Sequence, residues 1–464
     1  MFKRNSSTSE KAGWRDYQKA LKAPRRPKKP FTWPKIRIGW IVWRWVTLLT
    51  AIFAGLWILL SAGKEKIVEE PAKEAVFRKQ TGNVQFIEKS DLPVFIGNIS
   101  MVNLTSNPIQ VDFDGRSYQM HTSLDMELQQ YLLKRMDRVN SRYIGIVAMK
   151  PDSGRILAMA GFNKIDPDQD PCLLADYPAA SLFKIVTAAA GAEEKGYTAQ
   201  TRFTFNGFKH TLYKRQLTDK QNRYTNAISL KGAFAQSVNP VFGKIGALYL
   251  KQEALEKYGN AFGFNREVTF EFPLAVSHLT VKSDSYHRAE IASGFNRQTT
   301  ISPIHGAMIA SIVLNDGIPV EPTVIDTVED KTGMPIYRTK PKFLSPAVTQ
   351  KTAKVLNQLM VATVSSGTAR KTFRGHSRSK VLSRLRLGGK TGSIYNRSHD
   401  ARFDWYIGFA EEMGGNEKLA VSVMVAHEEY IGTRAGQYAR WVIERHFKKY
   451  FANKKSMEKK NTTG

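Results

Sequence analysis

YPAASLFKIVTAAAGAEEKG, residues 177–196, sets Ser181 and Lys184 inside a run that is otherwise small or apolar as far as Ala192. Ala179, Ala180, Leu182, Phe183, Ile185, Val186 and Ala188 to Ala190 leave almost no polar face, so the stretch reads as a buried helix over about Ala179 to Lys195. Three residues apart on a helix, the serine and the lysine share a face and come within reach of each other. A lysine takes a proton from a serine only when neutral, and burial or a neighbouring cation lowers its pKa toward that form. Taken alone the pattern is cheap. Ser-x-x-Lys recurs at Ser61 to Lys64, Ser377 to Lys380 and Ser456 to Lys459, and an isolated copy is usually a core helix with one snorkelling lysine.

Two further motifs follow in order. Ser237-Val-Asn239, ahead of Pro240, is the single Ser-x-Asn of the chain. Its serine can relay a proton and its amide can fix a lysine or hold a carbonyl, although the same residues also fit a helix cap and a loop. Lys390-Thr391-Gly392-Ser393 begins an expected strand after a Gly-Gly pair. Lys390 offers positive charge to a carboxylate, Thr391 and Ser393 offer hydroxyls, and Gly392 lets an extended peptide approach the strand edge. A second Lys-Thr-Gly at Lys331 to Gly333 follows Glu329-Asp330 between the strands TVIDTV and PIYR. It reads as a hairpin turn.

Motifs and flanks together resemble the penicillin-binding protein transpeptidases, the penicilloyl-serine transferases, whose Ser-x-x-Lys, Ser-x-Asn and Lys-Thr-Gly come in this order. The likeness runs from about Tyr118 to Tyr450. HTSLDMELQQYL resembles the entry to the catalytic domain, IVAMKPDSGRILAMAG its first hairpin, and YPAASLFKIVTAAAGAEEKG the nucleophile helix. AFGFN, ASGFNRQTTISPIHGAMIASIVLNDG, VSSGTAR, GKTGS and DWYIGFAE resemble later segments. The resemblance implies an α+β fold: an antiparallel five-stranded sheet flanked by helices, plus an all-helical lobe. It implies that Ser181 is acylated, that Lys184 is its base, and that Ser237 and Asn239 assist proton transfer. Lys390 and Thr391 would then bind the terminal carboxylate of a D-Ala-D-Ala stem peptide or of penicillin, with Gly392 and Ser393 completing the substrate-binding segment. The amides of Ser181 and Ser393 would form the oxyanion hole. No cofactor or metal is implied.

Within that family the activity expected is a peptidoglycan D,D-transpeptidase. A D,D-carboxypeptidase, in which water replaces the acceptor amine, stays open, as does a penicillin-binding sensor or scaffold of wall assembly. The sensor is disfavoured, because a protease region with His-Glu-x-x-His is missing. A β-lactamase is disfavoured too. No counterpart of the class A loop glutamate is visible, and Tyr258-Gly259-Asn260, which resembles a class D motif, reads as a helix end capped by Gly259.

The remaining chain sets the compartment. Residues 40–63 contain WVTLLTAIFAGLWILLSA, about 20 apolar residues when Ile41 to Trp43 are included, enough for one bilayer crossing. Before Trp45 stand 13 Lys or Arg against Glu10 and Asp16, so the tail over 1–39 is expected in the cytoplasm and the rest outside it, periplasmic or extracellular. Trp40, Trp43, Trp45 and Trp57 suit interfacial anchoring. Of the net +28, +17 remains on the exported part, which favours anionic polymers or membrane surfaces over nucleic acid. Cys172 is the one cysteine, so no internal disulfide forms. Residues 64–117 look like a small β-rich pedestal with strands in VQFI, PVFI and IQVDF. The 56 residues from Lys64 to Gln119 are too few for a glycosyltransferase domain. The transpeptidase domain is expected over 118–450, with a flexible basic tail over 451–464.

Overall fold

A computed structural model describes residues 80–81, 84–97, 99 and 102–463. The expected cytoplasmic tail, the membrane helix over 40–63 and the first part of the pedestal lie outside these residues. Among the described residues no helix is long and apolar enough to cross a membrane.

The strands of the two main sheets are, in chain order, β1 (Ile109–Phe113), β2 (Arg116–Thr122), β3 (Ser141–Met149), β4 (Ile156–Asn163), β5 (Ile325–Glu329), β6 (Pro335–Arg338), β7 (Leu385–Tyr395), β8 (Arg402–Glu412) and β9 (Lys418–His427). The helices are α1 (Leu92–Ile96), α2 (Met126–Leu133), α3 (Lys184–Lys195), α4 (Leu230–Ala235), α5 (Asn239–Lys244), α6 (Gln252–Ala261), α7 (Ser285–Ser293), α8 (Pro303–Leu314), α9 (Gln350–Ser365) and α10 (Ala435–Thr463).

The larger sheet is antiparallel, five-stranded and ordered β7-β8-β9-β3-β4. Both its faces are covered, and the period-two alternation of β9 shows how. Val421, Val423 and Val425 pack with Tyr438, Val442 and Phe447 of α10, whereas Ala420, Met424 and Ala426 join the core that holds Ile309, Ala310 and Val313 of α8. Every residue of α8 is buried, which is why that helix is apolar all round. Helices α3 to α7 build the helical lobe beside it. The strand β7 lies at the sheet's end, so one of its edges is free for another backbone.

Several expectations need correction. Tyr118, the expected start of the domain, falls inside β2, and β2 pairs with β5 in a sheet ordered β6-β5-β2-β1. Ile87, Phe95 and Val111 share one core with Val147, Ile156, Ile304 and Val328. Two short hairpins bury too little alone, and sharing a core supplies what they lack. PVFI is helical, not a strand: Leu92, Phe95 and Ile96 are spaced for one helical face, and Pro93 suits the first turn. Gly259 lies within α6 rather than capping it, because Leu279 packs where a Cβ would sit. The tail expected over 451–464 continues α10 to Thr463, with Lys454 paired to Glu412 at 2.8 Å. Finally, β7 begins at Leu385, ahead of the motif. Gly388 and Gly389 stand mid-strand because the rings of Phe409 and Tyr406 occupy the space above them.

Candidate active site

Ser181 stands in a single 3-10 turn, Ala180–Phe183, that leads into α3, and Lys184 is the first residue of that helix. The turn is tight. Ala180 has φ +49°, a left-handed conformation that costs a non-glycine residue about 1–2 kcal/mol. Gly294, which ends α7, makes it possible: a Cβ there would stand 1.8 Å from Ala180 O. Ser237 lies between α4 and α5 at φ +54°, and Asn239 opens α5. Lys390 to Ser393 run through β7 against the turn of Ser181, with Leu182 and Ala179 next to Gly392. Three separate elements thus meet at one cleft.

Lys184 is fully buried, and its Nζ lies 2.7 Å from Ser181 Oγ, 2.8 Å from Asn239 Oδ1 and within hydrogen-bond reach of Ser293 O. Burial pushes its pKa well below the ordinary lysine value, and the charge of Lys390 pushes it further. A neutral amine has two N–H donors and one lone pair. The two fixed acceptors, Asn239 Oδ1 and Ser293 O, use both donors, which leaves the lone pair aimed at the Ser181 hydroxyl. The arrangement can therefore draw the proton from Ser181.

A second buried amine faces the first. Lys390 is fully buried, and its Nζ donates to Ser237 Oγ at 3.0 Å and to Thr391 O at 2.7 Å. Desolvation lowers its pKa to about 7. Near neutral pH it is poised between forms, and an incoming carboxylate would favour the charged one. Aromatic rings line both amines: Phe242 lies 5.6 Å from Lys184 Nζ and Phe234 lies 5.6 Å from Lys390 Nζ. Thr391 Oγ1 meets Thr368 Oγ1 at 2.6 Å, and Ser393 Oγ accepts from Arg402 Nε at 2.8 Å.

All eight residues singled out in the sequence gather here. Ser181, Ser237, Asn239, Thr391, Gly392 and Ser393 line a cavity of about 700 Å³, with Lys184 and Lys390 beneath it. Other residues had no signal of their own. The loop carrying Lys209 and His210 clamps the second motif: Asn239 N donates to Lys209 O at 2.7 Å and Asn239 Nδ2 to His210 O at 3.1 Å. The His210 ring engages the Ser237 backbone; burial lowers its pKa and the charges of Lys184, Lys390 and Lys209 add to that. Ser293 and Gly294 were visible only as part of ASGFNRQ, and Thr368 only within VSSGTAR. Among the described residues no group of three or more His, Cys, Asp or Glu is placed to hold a metal ion.

The rival copies are elsewhere. Ser377 and Lys380 are exposed near a 3-10 turn, Ser456 and Lys459 are exposed on the end of α10, and Ser61 to Lys64 lies outside the described residues. Lys331 to Gly333 forms the exposed turn between β5 and β6, where Asp330 Oδ1 accepts from Thr332 N at 2.8 Å.

Comparison with known proteins matches residues 144–444 to the penicillin binding protein transpeptidase domain. Among curated relatives, the peptidoglycan D,D-transpeptidase PbpA of Mycolicibacterium smegmatis is 26% identical over 322 residues, covering 60% of this chain and 61% of the relative. Stage V sporulation protein D of Bacillus subtilis is 25% identical over 295 residues, covering 59% and 44%. The chain therefore spans about half to three fifths of the length of these relatives. The structure of penicillin-binding protein A from Mycobacterium tuberculosis in a ceftriaxone acyl-enzyme complex aligns with a TM-score of 0.56 at 22% identity, over 70% of this chain and 79% of that one. That likeness bears on the fold: antiparallel sheet and helices are those of a penicillin-binding protein transpeptidase.

Proposed function

The chain belongs to the penicillin-binding protein transpeptidase family, and from that premise we propose that it is a peptidoglycan D,D-transpeptidase working through a Ser181 acyl-enzyme. The observation that carries this reading is the contact of Lys184 Nζ with Ser181 Oγ at 2.7 Å, in a site where both donors of a neutral amine are already used. Lys390 and Thr391 hold the terminal carboxylate of a D-Ala-D-Ala stem peptide, which lies along the free edge of β7. Ser181 Oγ bonds to the penultimate carbonyl carbon as its proton passes to Lys184. The amides of Ser181 and Ser393 receive the developing oxyanion, each worth about 3 kcal/mol. The C–N bond then breaks. The leaving D-alanine takes a proton relayed by Ser237, which lies between Lys390 and the cleft. An amino group of a second stem peptide attacks the ester and gives its proton to Lys184, which passes it to the departing Ser181 Oγ as the C–O bond breaks and the new amide forms.

β-Lactams acylate the same serine. We further propose that residues 40–63 anchor the chain in the cytoplasmic membrane with residues 1–39 inside, and that wall-synthesis proteins are its partners there. The basic tail and the apolar run support the anchor and its orientation.

Incubation with a stem pentapeptide and an amine acceptor tests the activity. Cross-linked product together with released D-alanine is expected. Release of D-alanine with tetrapeptide as the single other product would replace the transpeptidase by a carboxypeptidase.

A further inference from the structure

Arg297 and Arg402 line the same cavity beyond Ser181, at the end of β7. Both are fixed through Nε: Arg297 donates to Tyr395 O at 2.6 Å and Arg402 to Ser393 Oγ at 2.8 Å. The Arg402 guanidinium also stands 5.7 Å from the Tyr395 ring, on which His399 stacks at 5.7 Å. Beyond these contacts neither guanidinium pairs with a carboxylate among the described residues. The nearby acids are already engaged. Asp404 Oδ2 accepts from Ala435 N at 3.0 Å and lies 3.8 Å from His427 Nε2. Asp400 accepts from Asn396 and Ser398 and pairs with Arg142 at 3.4 Å. Two oriented cations with free Nη donors and no counter-charge make a carboxylate receptor.

Position along β7 says which carboxylate. The strand presents Lys390 and Thr391, then Gly392 beside the Ser181 turn, then Tyr395 with its two arginines. A donor whose terminal carboxylate is at Lys390 and whose scissile bond is at Ser181 must continue toward Tyr395. From Thr391 to Tyr395 an extended chain covers about 13 Å, at about 3.3 Å per residue. We infer that Arg297 and Arg402 form a second anion subsite for a donor stem peptide that carries a free carboxylate about four residues before its C-terminus. This rests on the transpeptidase reading of the site and adds to it a class of substrate, the acidic stem peptide over its amidated form.

The test uses two synthetic peptides ending in D-Ala-D-Ala, identical except for a carboxylate or its primary amide at that upstream position. Release of D-alanine gives kcat/KM for each, in the full chain and in Arg297→Gln and Arg402→Gln. The carboxylate peptide is expected to react roughly tenfold faster in the unmodified protein. The preference should shrink in each variant and as salt is raised. Because it is a ratio within one protein, partial loss of folding in a variant cancels. Equal rates for the two peptides in a protein that penicillin does acylate at Ser181 would overturn the subsite alone. Failure of both peptides and of penicillin to react would overturn the transpeptidase reading and the subsite with it.

Discussion

Asn239→Asp places a negative charge at the point where Lys184 is held and removes the Nδ2 donor to His210 O; the charge effect can be worked from the geometry. Asn239 Oδ1 lies 2.8 Å from Lys184 Nζ. A unit negative charge placed there attracts the ammonium by about 6 kcal/mol at an effective dielectric of about 20, equal to about four pK units. Desolvating the new carboxylate takes back part of this; halving the gain still leaves about two units. In the unmodified protein burial and Lys390 hold the Lys184 pKa down. The neutral base is thus present above that lowered value, and acylation falls as pH drops through it. In the variant the ammonium persists to higher pH, so acylation at neutral pH should drop, by up to about 100-fold for two units, and recover toward alkaline pH. The assay is the second-order rate of labelling by a fluorescent penicillin across pH, with circular dichroism to confirm folding. A folded variant that labels at the unmodified rate at neutral pH, or whose pH profile does not move, would refute a neutral Lys184 as the base.

Other perturbations follow from the same contacts. Gly294→Ala puts a Cβ 1.8 Å from Ala180 O at a residue with φ +65°; a stability loss of about 3 kcal/mol is expected in urea unfolding, with penicillin labelling lost as the Ser181 turn shifts. His210→Ala removes the ring from the Ser237 backbone and should slow penicillin acylation about tenfold, with His210→Gln restoring part of the rate because it keeps a donor. Equal rates in the two variants would deny the ring that role. Asp170 is buried with Oδ2 unpartnered, and desolvation raises its pKa to about 6. The folded state holds this proton more tightly than the unfolded one, so the group's contribution is full below the unfolded value of about 4 and is lost as pH rises through about 6, a change of about 3 kcal/mol. Asp170→Asn should remove that pH-dependent difference in urea midpoints, and a variant whose difference curve against the unmodified protein is flat would contradict it.

Much of this is legible in the sequence. Side chains suited to chemistry come in few types, so Ser181, Lys184, Ser237, Asn239 and Lys390 to Ser393 could be singled out from order and flanks, and they gather at one cleft; the apolar run of α3 follows from its burial. What escaped reading acts through the backbone or through distant partners. Ser293 and Lys209 contribute carbonyl oxygens, which any residue supplies, and Ala180 contributes a conformation rather than a side chain. Gly388 and Gly389 look like a turn until the rings of Phe409 and Tyr406 from the next strand are in place. Pro93 and the spacing of Leu92, Phe95 and Ile96 did mark a helix, but the short alternating apolar text around it concealed that signal. The pedestal boundary was misplaced for a related reason: β2 ends in strand pairing with residues some two hundred positions away, which local sequence does not report.

The central claim is that Ser181 becomes the acylated residue. Treating the protein with benzylpenicillin and measuring the intact mass, followed by peptide mapping, tests it most directly. One penicilloyl adduct on the peptide that carries Ser181 is expected, absent from Ser181→Ala and unaffected by Ser377→Ala. An adduct on another serine, or one that persists in Ser181→Ala, would contradict the account.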